Sequence, residues 1–519
     1  MPCTKISPRE DAPRRCIREG NEGVREGDRG SEASLALDSA VTGSLTVVGT
    51  ALGLAAVLLW TRELPPEAYA ALGTFLLVGQ VGRTLLASYS QTALLHYGRL
   101  EFLERGGAQG SFWAALWLST PTLLLGAAAG ILLRGPLSLY LSGGDLSVLL
   151  VEAYMLVLAI TGLQVHRLQA EGRFGLAASI SVLDRALIIA AALVLSLSSG
   201  ITADRARLIV LGAAAASLGL GLIVRPPGPP RLEAVRLLPM ARFSASIAVC
   251  VGMGTLFAWG DFGVASRWLS AKDLGCYYLA SQCLTVLLQL SQVVGIVSGP
   301  LTISLIARGQ VERARQLFRR GASQLSLLTS AFLGILIACT CLLLPILIPD
   351  SYAPTLEPLV LLIAAGATAP LYFFSQSIFN AYRRPDLITA ATVVLAGSNL
   401  ALSLVLVPSY GATGAAIAKG LSLGVGALYA CGRALKLLDV AWPPGLLLAL
   451  TPALVAVGAV LWHPSQFGAV AAAALSIVAA AAALRYGKLL QPDDIGRLQS
   501  VGFPNWTRSM LQMALRVTS

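Results

Sequence analysis

The sequence predicts an all-α polytopic membrane protein, with about fourteen transmembrane helices in two pseudo-symmetric six-helix lobes followed by two extra C-terminal helices. Three observations carry this prediction. The 519 residues are 55% hydrophobic and only 13% charged, with a mean hydropathy of +0.72, whereas soluble domains carry about 25% charged residues. Apolar runs of roughly 20 residues, the length that crosses a ~30 Å hydrocarbon core, recur along the whole chain. Short patterns also repeat at a spacing of one six-span unit.

Taken in order, the runs are 41–60, 69–95, 111–133, 147–165, 174–198, 206–224, 243–268, 275–305, 322–348, 356–381, 386–407, 411–432, 442–462 and 467–484. The loops that follow even-numbered runs hold 17 Lys and Arg, and those that follow odd-numbered runs hold 6, counting Arg207 and Arg267 at the edges of their runs as loop charges. Positive loops stay cytoplasmic, so both termini are expected on that side. Residues 1–40, rich in Arg, Asp, Glu and Gly, read as a disordered cytoplasmic extension. They lack the near-terminal apolar core and cleavage site of a secretory signal.

The lobes are assigned to 41–224 and 243–432, joined by a cytoplasmic linker at 225–242. The extra helices occupy 433–484, and residues 485–519 form a cytoplasmic tail that meets either the membrane or a partner. Within 306–321, ARGQVERARQLFRRG sets apolar Val311, Ala314, Leu317 and Phe318 against arginines. This is either an amphipathic helix along the inner surface or a basic loop that sets topology.

The formal charge of +11 is distributed in short clusters between apolar runs, which points to membrane topology and away from nucleic acid. Eight cysteines are scattered without a Cys-x-x-Cys pair, so neither a zinc site nor a disulfide framework is expected. No cofactor is expected either. Isolated Asp145, Asp204, Asp273 and Asp350 in the outer loops, and His96, His166 and His463 at run ends, form no convergent catalytic set.

RELPPEAYAAL at 62–72 echoes RWLSAKDLGCYYL at 267–279, and LQAEGRFGLAA at 168–178 echoes FNAYRRPDLIT at 379–389, at offsets of 205 to 211 residues. Repeats of this kind place a substrate path between two lobes near the bilayer midplane.

The stretches RWLSAKDLGCYYLASQ (267–282), PLTISLIARGQVERA (300–314) and NLALSLVLVPSYGATGAAIA (399–418), with TRELPPEAYAALGTF at the opening hairpin, resemble polysaccharide exporters and Wzx-type lipid-linked oligosaccharide flippases. These belong to the MOP superfamily, which also holds MATE multidrug exporters and lipid II flippases. The resemblance covers residues 41–440, and the usual Tyr-Gly of the hairpin is Tyr69-Ala70 here. It implies a transporter in the bacterial cytoplasmic membrane, not an enzyme. Its implied partners are a lipid-linked oligosaccharide, membrane lipids, a coupling H⁺ or Na⁺, and polymerase or assembly proteins. An ion-coupled MATE-like exporter, and further off a glycan polymerase or ligase, are the alternatives.

Charges inside the runs mark the expected site, because each is costly in hydrocarbon and has to face protein or water. Arg83 lies at the centre of the second run, Asp184 and Arg185 near the centre of the fifth, Lys419 near that of the twelfth, and Asp261 outward of the centre of the seventh. One reading is a cationic cavity in which Arg83, Arg185 and Lys419 bind pyrophosphate, with Gln282, Gln289, Gln376 and Asn380 on sugar hydroxyls. Gln292 shares the face of Gln282 and Gln289. Asp184 and Asp261 are then candidates for ion coupling. The other reading is structural: interhelical ion pairs such as Arg83 with Asp184, and ordinary amide hydrogen bonds.

Overall fold

The structure is a computed structural model. It describes residues 28–141, 144–198, 200–229, 234–443 and 445–487. Among these every regular element is helical, as hydrocarbon requires, because a helix satisfies its backbone groups internally.

The first lobe comprises α1 (Asp28–Glu63), a long rod made of α2 (Pro66–Arg83) and α3 (Tyr89–Arg105), then α4 (Gln109–Leu132), α5 (Arg134–Tyr140), α6 (Gly144–Ala170), α7 (Phe174–Ser198) and α8 (Ala203–Val224). The second comprises α9 (Ala234–Trp268), α10 (Ala271–Ala307), α11 (Val311–Leu347), α12 (Leu356–Ala365), α13 (Ala369–Ala381) and α14 (Pro385–Leu438). Finally α15 (Thr451–Trp462) and α16 (Gln466–Gly487) pack together against α11. Ser330 of α11 fixes this appendix, accepting from Ala453 N–H at 3.0 Å and donating to Leu450 O at 3.0 Å.

Ten helical stretches among the described residues are long and apolar enough to cross a membrane. One of them, α14, is two helices joined at Gly411, whose φ of 59° and ψ of −136° interrupt the rod three residues after Pro408. A Cβ at Gly414 would lie 2.2 Å from Leu406 O, so the halves approach closely across this bend. The bend falls where the sequence separates the runs 386–407 and 411–432. Pro370 stands in the first turn of α13, after a 3₁₀ turn at Gly366–Thr368, a place where its missing N–H costs nothing.

Several boundaries differ from the sequence reading. Helix α1 begins at Asp28, so 28–40 is helical; residues 1–27 lie outside the described residues, as does the tail beyond 487. The linker assigned to 225–242 is helical from Ala234, and Met240 is fully buried among Ala93, Leu94, Phe112 and Leu163 of the first lobe. The basic stretch at 306–321 is not a separate surface helix. From Val311 it runs unbroken into α11, with Ala314 and Phe318 buried, because its apolar face continues the packed face of that helix. Cys276 and Cys431 are buried and the four other described cysteines are also free; Cys3 and Cys16 lie outside the described residues.

Besides the packing of the start of α9 on α3 and α4, the lobes meet at the other end of the bundle, which we call the Leu64 end. There α2 packs on α10. Gly275 sits so close to Pro66 that a Cβ would come within 2.0 Å of the Pro66 carbonyl oxygen. The Tyr352 hydroxyl donates to Leu64 O at 2.9 Å, Arg62 Nε to Leu347 O at 3.4 Å, and Tyr140 bonds Ser266 at 2.8 Å. Tyr69 and Tyr278, one in each of the two sequence echoes, face each other with ring centroids 5.0 Å apart.

Candidate functional site: the cavity between the lobes

Below the tyrosine seal lies a cavity of about 310 Å³ walled by α1, α2, α6, α7, α8, α9 and α10. Trp60, Tyr69, Tyr154, Trp259 and Tyr278 supply its rings, Gln80, Gln282 and Gln289 its amides, and Asp184 and Arg185 its charges. A second cavity of about 350 Å³ shares Thr50, Arg185 and Gln289 with the first and extends to Gln169, Phe174 and Gln292, away from the Leu64 end. Arg185 therefore stands at the junction of two chambers.

Its position follows from small residues on α1. The guanidinium Nη1 donates to the Gly49 carbonyl oxygen, and a Cβ at Gly53 would lie 3.3 Å from the same nitrogen. The GTALG pattern of the first run thus makes room for an arginine where its other role would be close helix approach. Neighbouring Asp184 lines the first chamber, and its Oδ1 is buried without a hydrogen-bond partner among the described residues.

Arg83 lies apart from this wall, one turn beyond Gln80. Its Nη1 donates to Gln91 Oε1 at 3.4 Å, while Nε is buried without a partner. No carboxylate pairs with it among the described residues, so the Arg83–Asp184 ion pair is not formed. Immediately after it the rod widens into a π-helical turn, Thr84–Ser88, a distortion that recurs at functional sites.

Lys419 and Asp261 correct the expectation of a cationic lumen. Lys419 Nζ bonds Asp261 Oδ1 at 2.7 Å and Ala258 O at 2.9 Å, and lies 5.3 Å from the centre of the Phe257 ring. The Tyr277 hydroxyl donates to Asp261 Oδ2, and Asn399 Nδ2 reaches Oδ1 at 3.4 Å. Both ionic side chains are almost wholly buried. This is a neutralised tie between α9 and the second half of α14, and neither residue lines the two chambers. The chamber walls thus carry one cation and one anion, with Arg83 an unpaired cation behind them.

Of the predicted amides, Gln282 and Gln289 line the first chamber and Gln289 and Gln292 the second. Gln376 instead lies beside the Tyr372 hydroxyl, and Asn380 is exposed near the end of α13; neither lines the chambers. Trp60, Trp259, Tyr154 and Gln80 line the site without having been singled out by the sequence, since rings and amides inside apolar runs look like packing. Tyr69 is marked only by its place in the echo.

No family model matches the chain. Over 289 residues it is 26% identical to the probable low-salt glycan biosynthesis flippase Agl15 of Haloferax volcanii, an alignment covering 54% of this chain and 60% of that protein. The match thus spans less than two thirds of that relative's length. Among solved structures, the lipid II flippase MurJ in an inward closed conformation superposes with a TM-score of 0.66 at 14% identity, covering 85% of this chain and 97% of that one. An inward-facing MATE multidrug resistance transporter superposes at 0.58 and 15% identity, covering 75% of this chain and 94% of that one. With its all-helical bundle and multiple apolar spans, the chain has the fold of the MOP superfamily to which these transporters belong.

Proposed function

We propose that the protein flips a polyprenyl-pyrophosphate-linked oligosaccharide across the bacterial cytoplasmic membrane, by alternating access of the cavity between its lobes. The observation that carries this reading is Arg185, held at the junction of two chambers with Gln289 on the shared wall. A pyrophosphate taken out of water needs a compensating cation, and a guanidinium matches phosphate oxygens in bidentate fashion. Arg83 adds positive potential from behind, because its charge has no counter-ion among the described residues. The prenyl chain stays in the bilayer while only the head group and sugars enter the chambers. Sequence similarity to a glycan biosynthesis flippase supports the same substrate class.

With the basic loops on the cytoplasmic side, the Leu64 end faces outward and the Gln169–Phe174 chamber faces the cytoplasm, where such lipids are assembled. The experiment is complementation of a strain lacking the gene, scored by surface glycan. Arg185→Ala abolishes display and Arg185→Lys leaves it much reduced, since an ammonium cannot form the fork. Full display with both variants would overturn the reading.

Asp184 favours a second reading, an ion-coupled exporter of cations, because this carboxylate lines the chamber and its buried Oδ1 has no hydrogen-bond partner among the described residues. In that case the deletion strain loses drug resistance and keeps its surface glycan.

A further inference from the structure

The two chambers differ in chemistry. The one nearer the Leu64 end is ringed by aromatic groups, and the one beyond Arg185 has Phe174 as its one aromatic side chain. Within the aromatic ring, Trp60, Tyr69, Tyr154 and Tyr278 are 6%, 2%, 5% and 3% exposed, while Trp259 is only half-buried. Tyr69 packs against Tyr278 and Tyr352, and Tyr154 against Phe75, while Trp259 lies edge-on to Phe262 and near-parallel to Tyr278 with ring centroids 6.5 Å apart. Trp259 keeps surface open to the cavity it lines.

Helix geometry explains why. Phe257 and Asp261, four residues apart, share the face of α9 that grips Lys419. Residue 259 projects about 200 degrees away from either neighbour, at 100 degrees per residue, and so points away from that tie toward the other lobe. The Lys419–Asp261 contact thus fixes the rotation of α9 that presents the indole. Gln282 follows Tyr278 by one turn on α10, and Asp184 lines the same chamber beside Arg185, its buried Oδ1 without a hydrogen-bond partner among the described residues. A flat apolar face flanked by amides and a carboxylate matches a sugar ring, with its apolar C–H face and its rim of hydroxyls; a pocket that is mostly apolar with a few placed polar groups confers orientation and specificity.

We infer that Trp259 is a specificity-determining stacking platform for the sugar attached to the pyrophosphate, with Asp184 and Gln282 bonding its hydroxyls while Arg185 holds the phosphates. This rests on the flippase reading above and deepens it: the protein reads the lipid-proximal sugar, not the pyrophosphate alone.

The test is binding by the purified full-length chain of two probes, a farnesyl-length prenyl pyrophosphate bearing one N-acetylhexosamine and the same lipid without sugar. Wild type binds the sugar-bearing probe about tenfold more tightly, and Trp259→Leu removes that preference while leaving affinity for the sugarless lipid unchanged. Trp259→Phe keeps a ring and most of the preference, whereas Arg185→Ala weakens both lipids alike. Tryptophan fluorescence gives a second readout should the leucine variant fail to fold: the sugar-bearing probe perturbs emission more in wild type than in Trp259→Phe, where Trp60 is the remaining indole of that chamber. Equal binding of the two probes by wild type, a preference that survives Trp259→Leu, or emission changes identical in wild type and Trp259→Phe would overturn the inference and leave the flippase reading standing. Binding of neither probe by wild type would overturn both.

Discussion

A charge in the interior of a membrane protein is informative only once its partners are known, and three cations here have three different fates. Lys419 is matched by Asp261, Arg185 is held by a backbone carbonyl beside a cavity, and Arg83 is left with one long amide contact. Breaking a buried pair from one side costs about 3–5 kcal/mol, because the remaining charge is stranded, whereas removing both is far milder. Lys419→Met should therefore lower the unfolding midpoint in detergent markedly, and adding Asp261→Asn should recover most of the loss. If the double variant is as unstable as the single, the pair is not what holds α9 to α14. Arg207 makes a parallel case. Sequence spacing places it in a loop, but it lies fully buried inside α8 and bonds Ser147, Asp204 and Leu141 O. Its two Nη groups bond α6, the residue after α5 and its own helix, while Nε has no partner among the described residues, so Arg207→Lys should cost about 1–3 kcal/mol through acceptors left unpaired, read in the same unfolding assay. None of these fates was legible from the residue types, since an arginine in an apolar run looks the same whether it faces a carbonyl, a carboxylate or water.

The helices were far more legible than their contacts, for a physical reason. Hydrocarbon forces long apolar stretches to be helical, so the runs around residues 69–95 or 174–198 could be drawn from hydropathy alone. What hydropathy cannot register is a change of hydrogen-bonding pattern within a continuous rod, such as the π turn after Arg83. Nor does it show that the residues after Ala234 form the packed start of α9 and not a linker, since short apolar patches such as Leu237, Leu238 and Met240 look like loop residues beside arginines. Glycines mark where rods touch. A methyl at Gly275 would meet the Pro66 carbonyl at 2.0 Å, and backbone is the hardest thing to displace. Gly275→Ala should push α10 off α2 and open the Leu64 end. In a chain whose other cysteines are alanine, Cys283, one residue after the chamber-lining Gln282, should then react with a water-soluble thiol reagent several times faster than in the Gly275 parent. An unchanged rate would mean that this contact does not govern access.

The sequence echo acquires a mechanical meaning when both lobes are seen together. The stretches that echo each other in sequence, one bearing Tyr69 and the other Tyr278, are parts that pack on each other. The two lobes are chemically unlike beneath that seal. The second spends its buried charges on one another in the Lys419–Asp261 tie, whereas the first leaves Arg185, Asp184 and Arg83 without mutual neutralisation. On the flippase reading proposed above, substrate charge would be met chiefly by the first lobe, with α9 and α10 adding Trp259, Tyr278, Gln282 and Gln289 to the chamber walls. Rocking of two rigid lobes around such a site would separate the tyrosines while keeping each lobe's internal ties intact. A chain carrying Tyr69→Cys and Tyr278→Cys, joined by a short reducible dithiol linker, should lose surface glycan display in cells and regain it on reduction. Each single variant, treated in the same way, should keep display. Activity that persists with the two hairpins linked would show that the substrate leaves by a route other than the Leu64 end, because with that end pinned shut no rocking motion could expose Arg185 to the outer face.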